Sequence, residues 1–252
     1  MASTMLSVYN NKNILQISSD YRNLVLKRKI KWSEINRYSP DPANNYYADV
    51  RFVLNSDELF AGVGRTDKAK FEEYGLPLSA NNINRANRWY IGEEKDVFLN
   101  GFNTEDSDDT DDVEDAYVYT FGFADNVNKE DCGLEVFDEA GNIVYDSERK
   151  YVKIIGYGEQ TIGNDNSVVP DTNVYGKYDS VIVPFGSANQ YWSDRMYINF
   201  FCGWYPIMRK SGQVVYHYEE WGEDMGSEGG DADHLEFMTS HLGFMLIDGS
   251  NL

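Results

Sequence analysis

Apolar and polar residues alternate along much of this chain with a period of two, the spacing of a strand that has one face in a core and the other in solvent. The clearest run is Tyr117-Val118-Tyr119-Thr120-Phe121-Gly122-Phe123, which is aromatic at every second position and so predicts four rings on one face. Further strands are predicted at Leu24 to Ile30, Ala48 to Leu54, Tyr151 to Ile155, Ser180 to Phe185, Arg195 to Cys202 and Phe244 to Ile247.

Three segments read as strand, polar turn, strand: Val8 to Leu15, Val136 to Tyr145 and Ile207 to Tyr216. In each, Asn, or Gly followed by Asn or Gln, supplies the left-handed backbone that a short hairpin loop needs. Their spacing is irregular, so shared turn chemistry accounts for the recurrence better than duplication. Helix is confined to short pieces. Thr66 to Tyr74 before Gly75 predicts one or two turns, with Thr66 as the cap. The expected fold is mostly β, one or more antiparallel β-sandwiches with one or two short helices.

Two polar stretches interrupt the strands. Eight acids fall between Glu105 and Asp115, a density that repels itself and cannot pack as a strand. The second, Gly222 to Asp233, mixes glycines with acids and reads as a flexible loop. A boundary placed in the first gives an N-terminal β-rich domain at 1–104, an acidic loop or linker at 105–115 and a C-terminal β-sandwich domain at 116–252, with a single domain as the alternative.

Composition agrees with sheets: 19 Tyr, 13 Phe and 5 Trp in 252 residues, and aromatics suit a pleated, half-buried surface. Forty-two acids against 22 bases give a formal net charge of −20, which repels phosphate backbones and argues against nucleic acid as a partner. Cys132 and Cys202 have no metal-ligand spacing and read as reduced, buried hydrophobes. The first residues lack a basic segment followed by an apolar one, and no run approaches the length of a membrane span. The expectation is folding in a cytoplasm without a membrane span.

Candidate chemistry is sparse. The acidic run lacks the glycine and the final glutamate of an EF-hand loop, so a solvated charge run explains it better than a calcium site. His217, His234 and His241 have no metal-binding spacing, and no nucleophile motif or phosphate-binding loop is present. The reading is no catalytic residue, no cofactor and no metal; the many acids allow a glycosidase pair, but none is singled out. Trp89, Tyr90, Trp192, Trp204, Tyr205 and Trp221 default to core. Trp192 and Trp221, beside polar and Gly-rich neighbours, are the two chosen as possible ligand-stacking residues.

The segment Gly133-Leu134-Glu135-Val136-Phe137-Asp138-Glu139-Ala140-Gly141-Asn142-Ile143-Val144-Tyr145-Asp146-Ser147, followed by Tyr151-Val152-Lys153-Ile154, resembles a hairpin of tail-tip and baseplate-associated structural proteins of tailed bacteriophages. Residues 6–21 have a similar character. The resemblance covers about a tenth of the chain and carries no catalytic residues, and the acidic loop lies outside its pattern. It implies a β-sandwich virion protein that docks to other phage tail proteins. The expectation that follows is a structural protein of the tail or tail tip, oligomeric in the assembled particle and folded in the host cytoplasm before assembly. The alternative is a receptor- or glycan-binding module of the virion that attaches to a host surface glycan. A hydrolase ranks below both.

Overall fold

A computed structural model of the chain describes residues 7–9, 15–18, 23–35, 50–76, 78–81, 96–101, 115–124, 134–161, 171–185, 188–194, 198–224 and 236–252. Side chains are described at 23–35, 52–76, 115–124, 134–161, 171–185, 204–217 and 242–252.

The strands, in chain order, are β1 (Ser7–Tyr9), β2 (Leu15–Ser18), β3 (Leu24–Lys31), β4 (Val50–Val53) and β5 (Phe60–Arg65). Helix α1 (Lys68–Tyr74) follows, then β6 (Leu78–Asn81), β7 (Asp96–Gly101), β8 (Ala116–Phe123), β9 (Glu135–Phe137) and β10 (Ile143–Asp146). The remainder are β11 (Ile154–Thr161), β12 (Ser180–Pro184), β13 (Ala188–Asp194), β14 (Ile198–Met208), β15 (Val214–Asp224) and β16 (Glu236–Asp248). The fold is mostly β, and every pairing among the described strands is antiparallel.

The largest sheet turns on β16, whose 13 residues serve two sets of partners. Its C-terminal half lies between β11 and β12 and continues through β5 and β8 to β3. Its N-terminal half pairs with β13, which leads to β14 and β15. The register is continuous across the break: Pro184 pairs with Phe244 and Ala188 with Ser240, so β12 and β13 run in line along the same side of β16. β4, β7 and β6 form a three-stranded sheet, and β1–β2 and β9–β10 are two-stranded ribbons. Because β3 and β5 share a sheet with β8, β12 and β16, that sheet crosses the boundary expected at 105–115.

Strand alternation sends β8 into two cores. Ala116 and Val118 join one with Val63, Ile182, Phe244 and Leu246, closed from outside this part of the sheet by Trp32, Phe71, Leu76, Met208 and Val214. Tyr119 and Phe121 join the other with Val181, Val183, Ile247 and Leu252. Of the four rings predicted on one face, Tyr117, Tyr119 and Phe121 belong to this second core, while Phe123 at the strand end is exposed. Burying a ring such as Phe121 in full stabilises the fold by about 1.5–3 kcal/mol; truncation to alanine costs about 3–5 kcal/mol once the cavity is included.

All three predicted hairpins have antiparallel arms. The turns of the second and third contain Gly141 at φ +83° and Gly212 at φ +85°. Asp138 reinforces the second by accepting hydrogen bonds at 2.8 Å from the backbone and side-chain amides of Asn142. Helix α1 differs from expectation at its start: Asp67, not Thr66, is the cap. The Asp67 carboxylate accepts from the amides of Ala69 (2.8 Å) and Lys70 (3.1 Å), because the helix begins one residue later than predicted.

Candidate functional site

The surface most distinct from an ordinary solvated sheet lies along β11. This strand pairs with β16 on one side and has no strand partner on the other among the described residues. Its sequence, Ile-Ile-Gly-Tyr-Gly-Glu-Gln-Thr, carries neither the lysine nor the proline that commonly blunts a sheet edge. What it has is a bulge. Ile154 stands opposite Ile247 and Gly156 opposite Leu246, which leaves Ile155 as the extra residue. The result is a cluster of exposed apolar side chains, Ile154 at 53 %, Ile155 at 42 % and Tyr157 at 53 % relative exposure.

Neighbouring contacts fix the ends of this cluster. The Tyr157 ring stacks on Phe185 with centroids 5.4 Å apart, and its hydroxyl donates to the Glu159 carboxylate. Lys153 donates to Asp248 at 2.7 Å, and the backbone amide of Asp248 donates to the Lys153 carbonyl at 2.9 Å. Those two bonds hold the approach to β11 against the end of β16. Further back, residues 150–152 lie against β3: Leu26 donates to the Lys150 carbonyl and Val152 to that of Leu24.

The segment 150–157 therefore joins the apolar cluster to the basic edge strand β3. Lys29 places its ammonium 5.0 Å from the Tyr117 ring centroid and 5.1 Å from that of Tyr119, and donates to the Leu252 carbonyl at 3.3 Å. Burial, and then the nearby Lys150 charge, holds the Lys29 ammonium below its ordinary pKa. Burial also pushes the Tyr119 phenol well up, with smaller contributions from Tyr117 and Asp179. Lys29, Lys31 and Lys150 are exposed, and none is paired with an Asp or Glu side chain among the described residues.

Other buried charges are structural. Arg65, 1 % exposed, donates to the carbonyls of Lys70 (3.1 Å) and Gly75 (3.0 Å). Its Nε lies 3.1 Å from Asp115 Oδ2, which ties the start of β8 to helix α1. Asp115 is the one described member of the acidic run 105–115, and its place is an ion pair with arginine. Among the described residues no group of three or more His, Cys, Asp or Glu is placed to hold a metal ion. Nor is any described helix long and apolar enough to cross a membrane.

The two tryptophans selected from the sequence fall within strands. Trp192 on β13 is opposite Phe200, itself opposite Gly222, while Trp221 on β15 is opposite Phe201, itself opposite Tyr191. They occupy adjacent cross-strand rows rather than one row, and their side chains lie outside the described set. Trp204 is buried at 5 % exposure, as its apolar surroundings predict. His217 is half-buried on β15, with its pKa lowered by burial. His241 is described by its backbone alone, opposite Thr161; His234, Trp89, Tyr90, Cys132 and residues 105–114 lie outside the described residues.

Sequence reasoning missed the Ile154, Ile155 and Tyr157 cluster. An apolar pair beside a glycine reads as core, and only the position of β11 at a sheet edge exposes it. The available signal was the absence of any charge from Ile154 to Gly158. In comparisons with known proteins, no family model, no curated protein and no solved structure matches this chain.

Proposed function

We propose that this chain is a structural protein of a bacteriophage tail or tail tip that works through protein–protein interfaces rather than through an active site. The observation that carries the reading is the exposed apolar edge of β11. Three large side chains there stand about half out of water, and covering each by a neighbouring chain is worth about 1 kcal/mol. A sheet edge of this kind is a ready template for another chain.

The hairpin resemblance supports the same reading. Residues 134–146 fold as the ribbon β9–β10 around Gly141, and Leu134 and Phe137 on it are exposed at 56 % and 39 %. Its partners are other tail proteins, its place is the virion tail, and it folds in the host cytoplasm before assembly. Cryo-electron microscopy of the assembled particle is the test. The expected result is density for this chain in the tail, with residues 154–157 or the β9–β10 ribbon against a neighbouring subunit. A tail from which the chain is missing overturns the proposal.

A further inference from the structure

The charge of the surface strip beside β11 points to what it receives. The chain has 20 more acids than bases, and several described bases are already matched to acids: Lys27 to Asp57, Arg28 to Glu58, Arg65 to Asp115, Lys153 to Asp248 and Arg209 to Asp171. Lys29, Lys31 and Lys150 have no such acid among the described residues, which is also true of the exposed Lys177 and Lys210, but the first three lie on or beside one strand. Lys29 and Lys31 stand opposite Tyr119 and Tyr117, two residues apart on β3 and so on one face of it. Lys150 lies on the segment hydrogen-bonded along the same strand and acts electrostatically on Lys29.

Lys150, beside the strand that carries Lys29 and Lys31, thus marks one end of segment 150–157, while Ile154, Ile155 and Tyr157 occupy the other. Lys29 is already held by the Leu252 backbone oxygen and two rings, but Lys31 and Lys150 have no Asp or Glu partner among the described residues, so an incoming anion meets unmatched positive charge there. An apolar surface next to them rewards a partner that also brings hydrophobic side chains.

We propose that this strip is a docking surface for an acidic, apolar segment of another protein chain. The proposal rests on the interface reading above and gives it a place and a partner chemistry. At physiological ionic strength screening acts over about 8 Å, so the local lysines govern the final contact even though the whole chain is acidic. Charge sets orientation and rate of encounter here, and apolar burial sets how long the complex lasts.

The test uses a fluorescein-labelled peptide of alternating Glu and Val, with an alternating Lys and Val peptide and dextran sulfate as comparators, followed by fluorescence anisotropy with the full chain. The expected result is binding of the Glu peptide, weakened by added salt. It falls about tenfold or more in a K31E/K150E variant and in an I154S/I155S variant. Both variants leave the Lys29 contact to Leu252 in place, and an unchanged circular dichroism melt shows that they fold. Absence of peptide binding, equal binding of the Lys peptide, wild-type affinity in either variant, or binding of dextran sulfate alone overturns the inference. A tail in which the chain meets its neighbours by another face would overturn it while leaving the structural role intact. Peptide binding by a chain found in no tail would do the reverse.

Discussion

Glu58 is fully buried and is gripped by the Arg28 guanidinium through both carboxylate oxygens. Its remaining capacity is filled by the Thr120 hydroxyl (2.6 Å) and the Asn55 backbone amide (2.6 Å), while the Phe52 ring lies 4.9 Å from the guanidinium carbon. A buried carboxylate with four donors is stable only while they remain. Arg28→Ala should therefore destabilise the fold by about 3–5 kcal/mol, most of it the cost of an uncompensated charge. The double variant R28M/E58L should recover much of that loss. Urea denaturation of the single and double variants checks this; an Arg28→Ala cost below 1 kcal/mol would show that water reaches Glu58.

The two hairpin glycines make unequal demands. Both require positive φ, which costs an L-residue about 1–2 kcal/mol. A Cβ at Gly141 would meet nothing within 4 Å, whereas one at Gly212 would collide with the carbonyl oxygen of Gly176. That carbonyl belongs to backbone fixed by a 2.8 Å hydrogen bond from the Gly176 amide to the Gly212 carbonyl. Gly141→Ala should thus cost only the conformational term, and Gly212→Ala clearly more. Thermal melts that rank them in the opposite order would remove the steric part of this account.

These turns were legible in the sequence because their chemistry is local: a glycine, a polar partner and flanking β-formers settle the matter without the rest of the chain. β8 was legible for a similar reason, its aromatic alternation being its own signal. β5 was not. Phe60-Ala61-Gly62-Val63-Gly64-Arg65 has too many glycines to read as a strand, and they are there because β12 passes close, with Ile182 O only 2.8 Å from where a Cβ of Gly62 would stand. The full reach of β14, β15 and β16 was equally hidden, since acids such as Glu219 and Glu220 continue a strand only when a neighbour supplies the hydrogen bonds. The candidate surface depends on topology in the same way. Nothing in Ile154-Ile155 announces that its strand ends a sheet, and nothing in β3 announces which of its lysines will lack an acid.

Asp248 offers a pH test of the contact that leads into β11. Hydrogen bonds from Lys153 and then Ser250 hold its carboxyl down to about 2, from an ordinary 3.8. A folded-state pKa below the unfolded one means that the ionised form favours folding. The stabilisation is complete above pH 3.8 and is lost as pH falls through about 2. In Lys153→Ala the Asp248 midpoint should move back up toward 3.8, and part of the acid sensitivity between those values should disappear. Carboxyl carbon chemical shifts followed through an acid titration give the answer. A midpoint near 4 in the unaltered chain would mean that the 2.7 Å bridge does not persist in solution.

Tyr151 gives the complementary test at high pH, at the point where the β9–β10 ribbon meets the body. Its ring stacks on Tyr145 at 5.1 Å, and its hydroxyl oxygen accepts a hydrogen bond from the Asp146 amide. Burial pushes the phenol up to about 12, against the opposing effect of that hydrogen bond. With the folded pKa above the ordinary 10.0, the neutral phenol favours folding; its contribution is complete below pH 10 and fades as pH rises through about 12. Tyr151→Phe should abolish this share of the alkaline loss while costing about 1 kcal/mol at neutral pH for the amide left without its acceptor. An ultraviolet titration should show one late-ionising tyrosine fewer in the variant, and protease sensitivity should rise first in the ribbon. If the alkaline stability curve were the same with phenylalanine at this position, the ribbon would be held chiefly by Ile143 of β10 packed on Val25 and Ala124 and by the 3.0 Å hydrogen bond from the Asn23 side chain to the Val144 carbonyl.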